Sequence, residues 1–322
     1  MSRVEEALAR ARAANAEVVA PQVVEHGGVG VRLLPADVTP DQWPAEQVVS
    51  GDLTDTVDLP RKISVPAPDL ELALNTGEQS AQARRTMAND EGANEKLVMA
   101  PEIEQGSVEQ YRRLAGRLHL AQAEHGIKVV MIASALPGEG KTLTAVNLAL
   151  TLSESYKRQV LLIDGDLRRP SVHEMFRIPN LTGLNDGIKS DKDRKVPLVH
   201  WSDCLTLITA GRPDADPMRV LSSKRMQTVI TEAAAKFDWV IVDTPPVGLL
   251  TDASLFAAMV DTVVLVVQAE RTPYPDIQRA IQALGKDRIF GVVLNRTNLN
   301  RNASYIGYGY AYGRPAADGQ SG

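Results

Sequence analysis

The stretch KVVMIASALPGEGKTLTAVNLALTLSESY, residues 128–156, changes character twice. Lys128 to Ser134 is a short β-rich apolar run, a glycine-rich turn follows, and a helix opens after it. Strand, glycine turn and helix in that order are the context a phosphate-cradling loop requires. The glycines of ALPGEGKT (135–142) let the backbone bend tightly and present consecutive N–H groups to phosphate oxygens, and the helix adds its positive end. In this reading Pro137, Gly138, Glu139, Gly140, Lys141, Thr142 and Leu143 form the cradle. Lys141 reaches the β- and γ-phosphates of a nucleotide, and Thr142 holds Mg2+ through its hydroxyl. Ala135 stands where the first glycine of such loops is usual. The bland alternative is a strand-to-helix turn with a chance lysine.

Outward from this loop, further buried-strand runs are QVLLI (159–163), LTLIT (205–209), WVIV (239–242), TVVLVV (262–267) and IFGVVL (289–294). Helical stretches lie between several of them, among them PMRVLSSKRMQTVITEAAAKF and PDIQRAIQALGK. Before the loop, SVEQYRRLAGRLHLAQAE sets Ser107 and Gln110 at capping-box spacing, with Tyr111, Leu114 and Leu118 on one helical face. Apolar strands alternating with helices give an α/β fold, a mostly parallel sheet with helices on both faces, over residues 105–298. With the glycine-rich loop, this arrangement resembles a P-loop NTPase domain of the positioning-ATPase-like type.

Composition divides the rest. Residues 1–100 carry 9 Lys/Arg against 16 Asp/Glu, a net of −7 within the overall −5, which leaves +2 on the remainder. Their one aromatic is Trp43, and prolines are scattered from Pro21 to Pro68. So little to bury makes residues 1–104 largely disordered acidic linker by expectation, with a short helix at 3–15 open as a docking element or a solvated one. The start has no signal-peptide core, and no run of about 18 apolar residues encodes a membrane span. The net charge argues against nucleic acid as a partner held by bulk attraction. One cysteine, Cys204, excludes an internal disulfide and reads as a small buried residue.

Two carboxylate clusters sharpen the site. LLIDGDLRRP places Asp164 and Asp166 just past one buried strand, and WVIVDTPP places Asp243 at the end of another. Ligands of open α/β sheets bind beyond the carboxyl ends of the strands, so all three converge on the edge carrying the loop. A lone aspartate there also reads as a helix N-cap; three beside a phosphate loop favour metal and proton work. LNRTN (294–298) lacks the aspartate that would accept from guanine, which favours ATP, with Asn295 read as an adenine contact or a turn residue. The tail YIGYGYAYG (305–313) holds four of the seven tyrosines, separated by glycine and alanine, where little apolar surface is available to bury them.

ALPGEGKT, then LLIDGDLRRP, then VIVDTPP, then the tyrosine tail is an order that resembles the bacterial tyrosine autokinases of the polysaccharide-export type (BY-kinases). The freestanding cytoplasmic form, including that associated with exosortase systems, is the most similar, over about residues 105–315. In that resemblance the three segments match Walker A, the family-specific Walker A′ and Walker B, and Tyr305, Tyr308, Tyr310 and Tyr312 match the autophosphorylated tyrosine cluster. The helix motif Glu-x-x-Arg-x-x-Arg, which joins subunits of the family into a ring, is met by Glu109 and Arg112, with Ala115 in third place.

The resemblance implies transfer of the ATP γ-phosphate to tyrosine hydroxyls, with ATP and Mg2+ required. Lys141 is assigned to the phosphates, and Thr142, Asp243 and Asp164 to the metal. Asp164 also orients the phenol or takes its proton, and Asp166 assists. Arg168 and Arg169 read as charge stabilisers or subunit contacts, or as a solvated pair. About 37 Å of extended chain separates Leu294 from Tyr305, so reach permits an own-site or a neighbour-site encounter; the resemblance favours the neighbour, in a homo-oligomeric ring. It also implies a membrane polysaccharide co-polymerase as activator, a cognate phosphotyrosine phosphatase, and a cytoplasmic place at the inner membrane held through that partner, in regulation of exopolysaccharide synthesis and export. Two rivals stand beside this reading. A partition-type ATPase switch usually has a second lysine where Leu136 stands, and an ATP-binding scaffold would be phosphorylated by another kinase.

Overall fold

The computed structural model describes residues 32–34, 73–75, 96–100, 103–189, 196–247 and 252–297. The expected helix at 3–15 and the tyrosine tail lie outside the described residues. The strands are β1 (Arg32–Leu34), β2 (Ala73–Asn75), β3 (Val129–Ser134), β4 (Val160–Asp164), β5 (Pro197–His200), β6 (Leu205–Ile208), β7 (Trp239–Asp243), β8 (Thr262–Gln268) and β9 (Ile289–Asn295). They form one sheet in the order β1-β9-β8-β3-β7-β4-β6-β5-β2. Pairing from β9 through β6 is parallel throughout, and β2 runs parallel to β5. The β5–β6 hairpin and the β1–β9 pair are antiparallel.

Period-2 alternation in the central strands sends successive side chains into two different cores. Val129, Met131, Leu161, Ile163, Val240 and Val242 face one; Val130, Ile132, Leu162, Ile241 and Val264 face the other. Both faces are apolar because both are covered, the condition that makes parallel strands read as continuous hydrophobic runs. The first face is covered by α4 (Leu184–Lys189), α5 (Met218–Leu221), α6 (Lys224–Lys236), α7 (Asp252–Ala257) and α8 (Tyr274–Leu284). The second is covered by α1 (Gln105–His125), α2 (Lys141–Leu150) and α3 (Val172–Phe176).

Local chemistry moved several expected boundaries. The first helix begins at Gln105 with Glu104 as N-cap, so Ser107 is a buried first-turn residue and not the cap its spacing suggested. The helix expected to reach Tyr156 stops at Leu150 and finishes in a single π turn, Thr151–Ser155, where the Thr151 hydroxyl donates to the Asn147 carbonyl at 2.7 Å. The PMRVLSSKR run is two helices, because the Ser223 hydroxyl accepts from the Met226 N–H and starts α6 afresh. β5 was not foreseen, being short and only partly buried.

Order also begins earlier than Ser107. Asn147, buried in α2, accepts from the Val98 N–H at 2.9 Å and donates to the Lys96 carbonyl at 3.0 Å, while Leu97 enters the core. One amide thus reads both polarities of a backbone and seats the approach segment on the helix that starts at Lys141. Asn147→Leu strands those two groups and is expected to cost about 1–3 kcal/mol in denaturant unfolding. Two further pieces of the N-terminal region, β1 and β2, lie on opposite edges of the sheet, where sequence composition had indicated only linker.

Candidate active site

Strands β3, β4 and β7 are neighbours, and their carboxyl ends deliver the site. Asp164 and Asp243 stand in register on β4 and β7, and the loop leaving β3 passes over the same edge. Two left-handed glycines shape that loop, Gly138 (φ 80°) and Gly140 (φ 94°), the kind of turn from which anion nests are built. At Gly140 a side chain would also run into the Asn295 amide.

Lys141 Nζ lies 3.3 Å from Asp166 Oδ2 and 3.7 Å from Asp243 Oδ1. Burial alone would lower the lysine's pKa, but Asp243 and Asp166 raise it overall, so it is a fixed cation. The Thr142 hydroxyl donates to Asp243 Oδ2 at 2.7 Å and lies 3.1 Å from the Ser171 hydroxyl. Since the single threonine proton goes to the aspartate, Ser171 is the donor in that second contact. Asp243 Oδ1 is buried with no hydrogen-bond partner among the described residues. A carboxylate oxygen held only by its 3.7 Å ion pair with Lys141, beside a hydroxyl, fits a hydrated divalent cation. No group of three or more His, Cys, Asp or Glu side chains among the described residues could hold a metal alone.

Asp164 sits deeper. One oxygen accepts from the Asp166 N–H at 3.2 Å, and the other from Ser171 and Val172 at 3.1 and 3.0 Å. Both oxygens of this expected metal ligand accept from backbone donors, two of them at the start of α3. Burial, then the Asp243 charge, push its carboxyl well above the usual range, and burial raises Asp243 as well. The turn after Asp164 depends on a close approach: the Gly165 N–H donates to the Asp243 carbonyl at 2.7 Å, and a Cβ there would sit 2.7 Å from both that oxygen and the Phe256 ring. Gly165→Ala forces β4 and β7 apart at their catalytic ends. Expected is a loss of about 1–3 kcal/mol in thermal unfolding, accompanied by weaker nucleotide binding.

Comparison with known proteins fixes the family. A family model described as ParA, NUBPL iron-transfer P-loop NTPase matches residues 126–304, more than half of the chain. Tyrosine-protein kinase YwqD of Bacillus subtilis is 37% identical over 205 residues, which cover 62% of this chain and 86% of that protein. Tyrosine-protein kinase CpsD of Streptococcus pneumoniae serotype 4 is 32% identical over 199 residues, 60% of this chain and 86% of the relative. The kinase domain of Escherichia coli tyrosine kinase ETK superposes with a TM-score of 0.58 at 29% identity, covering 71% of this chain and 87% of that one.

The chain belongs to the bacterial tyrosine-protein kinases.

In this kinase the structure brings Lys141, Thr142, Asp166 and Asp243 together, with Asp164 directly behind them. Asn295 reaches the phosphate loop, donating to the Glu139 carbonyl at 2.8 Å, while its Oδ1 accepts from the Arg296 N–H. Arg168 is half-buried and paired within the chain: its Nε pairs with buried Asp252 at 2.6 Å, and Nη1 donates to the Ala215 carbonyl at 2.6 Å. Arg169 is exposed. On α1, Glu109 pairs with Arg113 at 3.4 Å, and Ala115 is fully buried while Arg112, Arg113 and Arg117 face outward. Ser171 escaped the sequence reading; its signal was a hydroxyl residue just after the Walker A′ arginines, at a helix start. Among the described residues no helix is long and apolar enough to cross a membrane.

Proposed function

We propose that the kinase transfers the γ-phosphoryl group of ATP to Tyr305, Tyr308, Tyr310 and Tyr312 on a neighbouring copy of itself. The observation that carries this is the buried Lys141 cation set between Asp166 and Asp243 at the mouth of an anion-binding loop. In the transfer the bond from the γ-phosphorus to the bridging oxygen breaks, a bond to the tyrosine oxygen forms, and ADP leaves. The phenol proton passes to Asp164. An ordinary carboxylate is a feeble base for a phenol of pKa about 10, and burial of Asp164 narrows that gap. Lys141 draws negative charge on the phosphates toward itself, and the loop N–H groups hold them in line. Thr142 and Asp243 would hold Mg2+, which when bound neutralises charge on the β- and γ-phosphates. Ser171 donates to the same threonine oxygen and keeps it oriented. Asn295, at the end of β9, is placed to border the adenine while it holds the loop.

The assembly is a ring using the outward face of α1, activated by the cytoplasmic part of a membrane polysaccharide co-polymerase and reset by a phosphotyrosine phosphatase, in control of exopolysaccharide synthesis and export. The names of relatives and the phosphate-loop fold support this reading. Purified protein incubated with ATP and Mg2+, with a co-polymerase segment supplied, is expected to accumulate phosphotyrosine at the four tail positions. Mass spectrometry that finds those positions unmodified overturns it.

A further inference from the structure

A carboxylate inside a loop built to bind phosphate is an electrostatic oddity. Glu139 is one, and it is only 2% exposed. Its carboxylate is taken up by the chain's own donors. Oε2 accepts from the Leu136 N–H at 2.8 Å, closing the loop across three residues. Oε1 accepts from the buried Thr272 hydroxyl and from the Gln268 N–H at 3.4 Å. Gln268 is the last residue of β8, and Thr272 lies in the turn leading to α8. The Glu139 carbonyl is held as well, by the Asn295 amide at the end of β9. Strands β8 and β9 pair in register at Gln268 and Asn295, so one residue of the loop is fastened to two adjacent strand ends.

We propose that Glu139 is the positioning residue of the phosphate loop, clamped through Thr272, Gln268 and Asn295, and that this clamp presets the loop N–H groups for a triphosphate before nucleotide arrives. The inference rests on the nucleotide-binding reading above. It adds that a turn outside every nucleotide motif sets nucleotide affinity. Burial raises the Glu139 carboxyl, and the Leu136, Thr272 and Gln268 donors offset part of that rise. Those are the groups an acceptor-only carboxylate needs at such a site. A preset loop gains affinity because ordering is not charged to the binding step.

Thr272 is the test position, since it lies far in sequence from the loop. Thr272→Val keeps the shape and removes the hydroxyl; Thr272→Ser restores it. Binding of a fluorescent ATP analogue to the full chain, measured without phosphoryl transfer, is expected to weaken about tenfold in Thr272→Val, about 1.4 kcal/mol, and to recover in Thr272→Ser. KM for ATP rises by the same factor while kcat falls less than about threefold, the pattern of lost uniform binding. Glu139→Ala weakens binding at least as much, and adding Thr272→Val to it changes nothing further, because the two act through one contact. Equal affinity in wild type and Thr272→Val overturns the clamp and leaves the kinase reading intact. Additive losses in the double variant overturn it too. A wild-type chain that binds no analogue overturns both.

Discussion

Lys141→Ala is expected to end phosphotyrosine formation, with a fall of about two to three orders of magnitude or more, in a chain that still folds. The lysine is the cation directly on the reacting phosphates, and no second basic side chain among the described residues is placed 3.3–3.7 Å from Asp166 and Asp243 as it is. Its removal leaves carboxylates without their counter-charge, and stranding a buried charge is costly. The carboxylates can respond by taking up protons. Burial already raises Asp164 and Asp243, and loss of the lysine raises them further. A carboxyl raised in the folded state supports stability fully below its unfolded pKa, and that support is lost as pH rises through the folded value. The melting temperature of metal-free Lys141→Ala should therefore fall further below wild type at pH 8 than at pH 5. A variant that is inactive yet equally displaced at both pH values would mean the aspartates do not depend on the lysine for their charge.

Changing Tyr305, Tyr308, Tyr310 and Tyr312 together to phenylalanine is expected to remove more than nine-tenths of the phosphotyrosine signal, by analogy with the loss of substrate and not of catalyst. The two variants then report on each other when mixed. Lys141→Ala supplies intact tails and no chemistry; the tyrosine-free variant supplies chemistry and no tails. Phosphate appearing on the Lys141→Ala chains, separated by a size tag, establishes transfer between copies, and its absence with active wild type alongside confines transfer within one chain. Full modification of four phenols adds about −6 to −8 charges to one short tail, so phosphorylated samples should also run as smaller assemblies in light scattering than the phenylalanine variant.

The layered sheet was legible because β3, β4, β7 and β8 are Val/Ile/Leu runs ending in polar residues, and the phosphate loop announced itself by glycines at the one junction where backbone must turn over a ligand. Asp164 and Asp243 were legible by position, at strand ends on one edge. Their different surroundings were not, because backbone N–H groups at the start of α3 meet Asp164, whereas Asp243 meets Thr142 and Lys141. Asn147 and Ser171 were missed, and the distant partners of Glu139 and Asn295 were not foreseen, for a shared reason. Each acts through a partner 29 to 156 residues away, and no local spacing encodes such a contact. The inner break at Ser223 was hidden by an uninterrupted helix-forming composition, and Ala115 looked like a gap in a surface motif although its position is core.

β1 and β2 take up the outermost hydrogen-bonding rows of the sheet, one against β9 and the other against β5. They are the edges of the sheet, and strands of only three residues offer a second molecule little backbone on which to continue the ladder. The proposed ring would then be joined through side chains on helices, contacts that charge can dissolve, whereas a continuous intermolecular ladder would be indifferent to a few phosphates. A reversible assembly is what such a border permits.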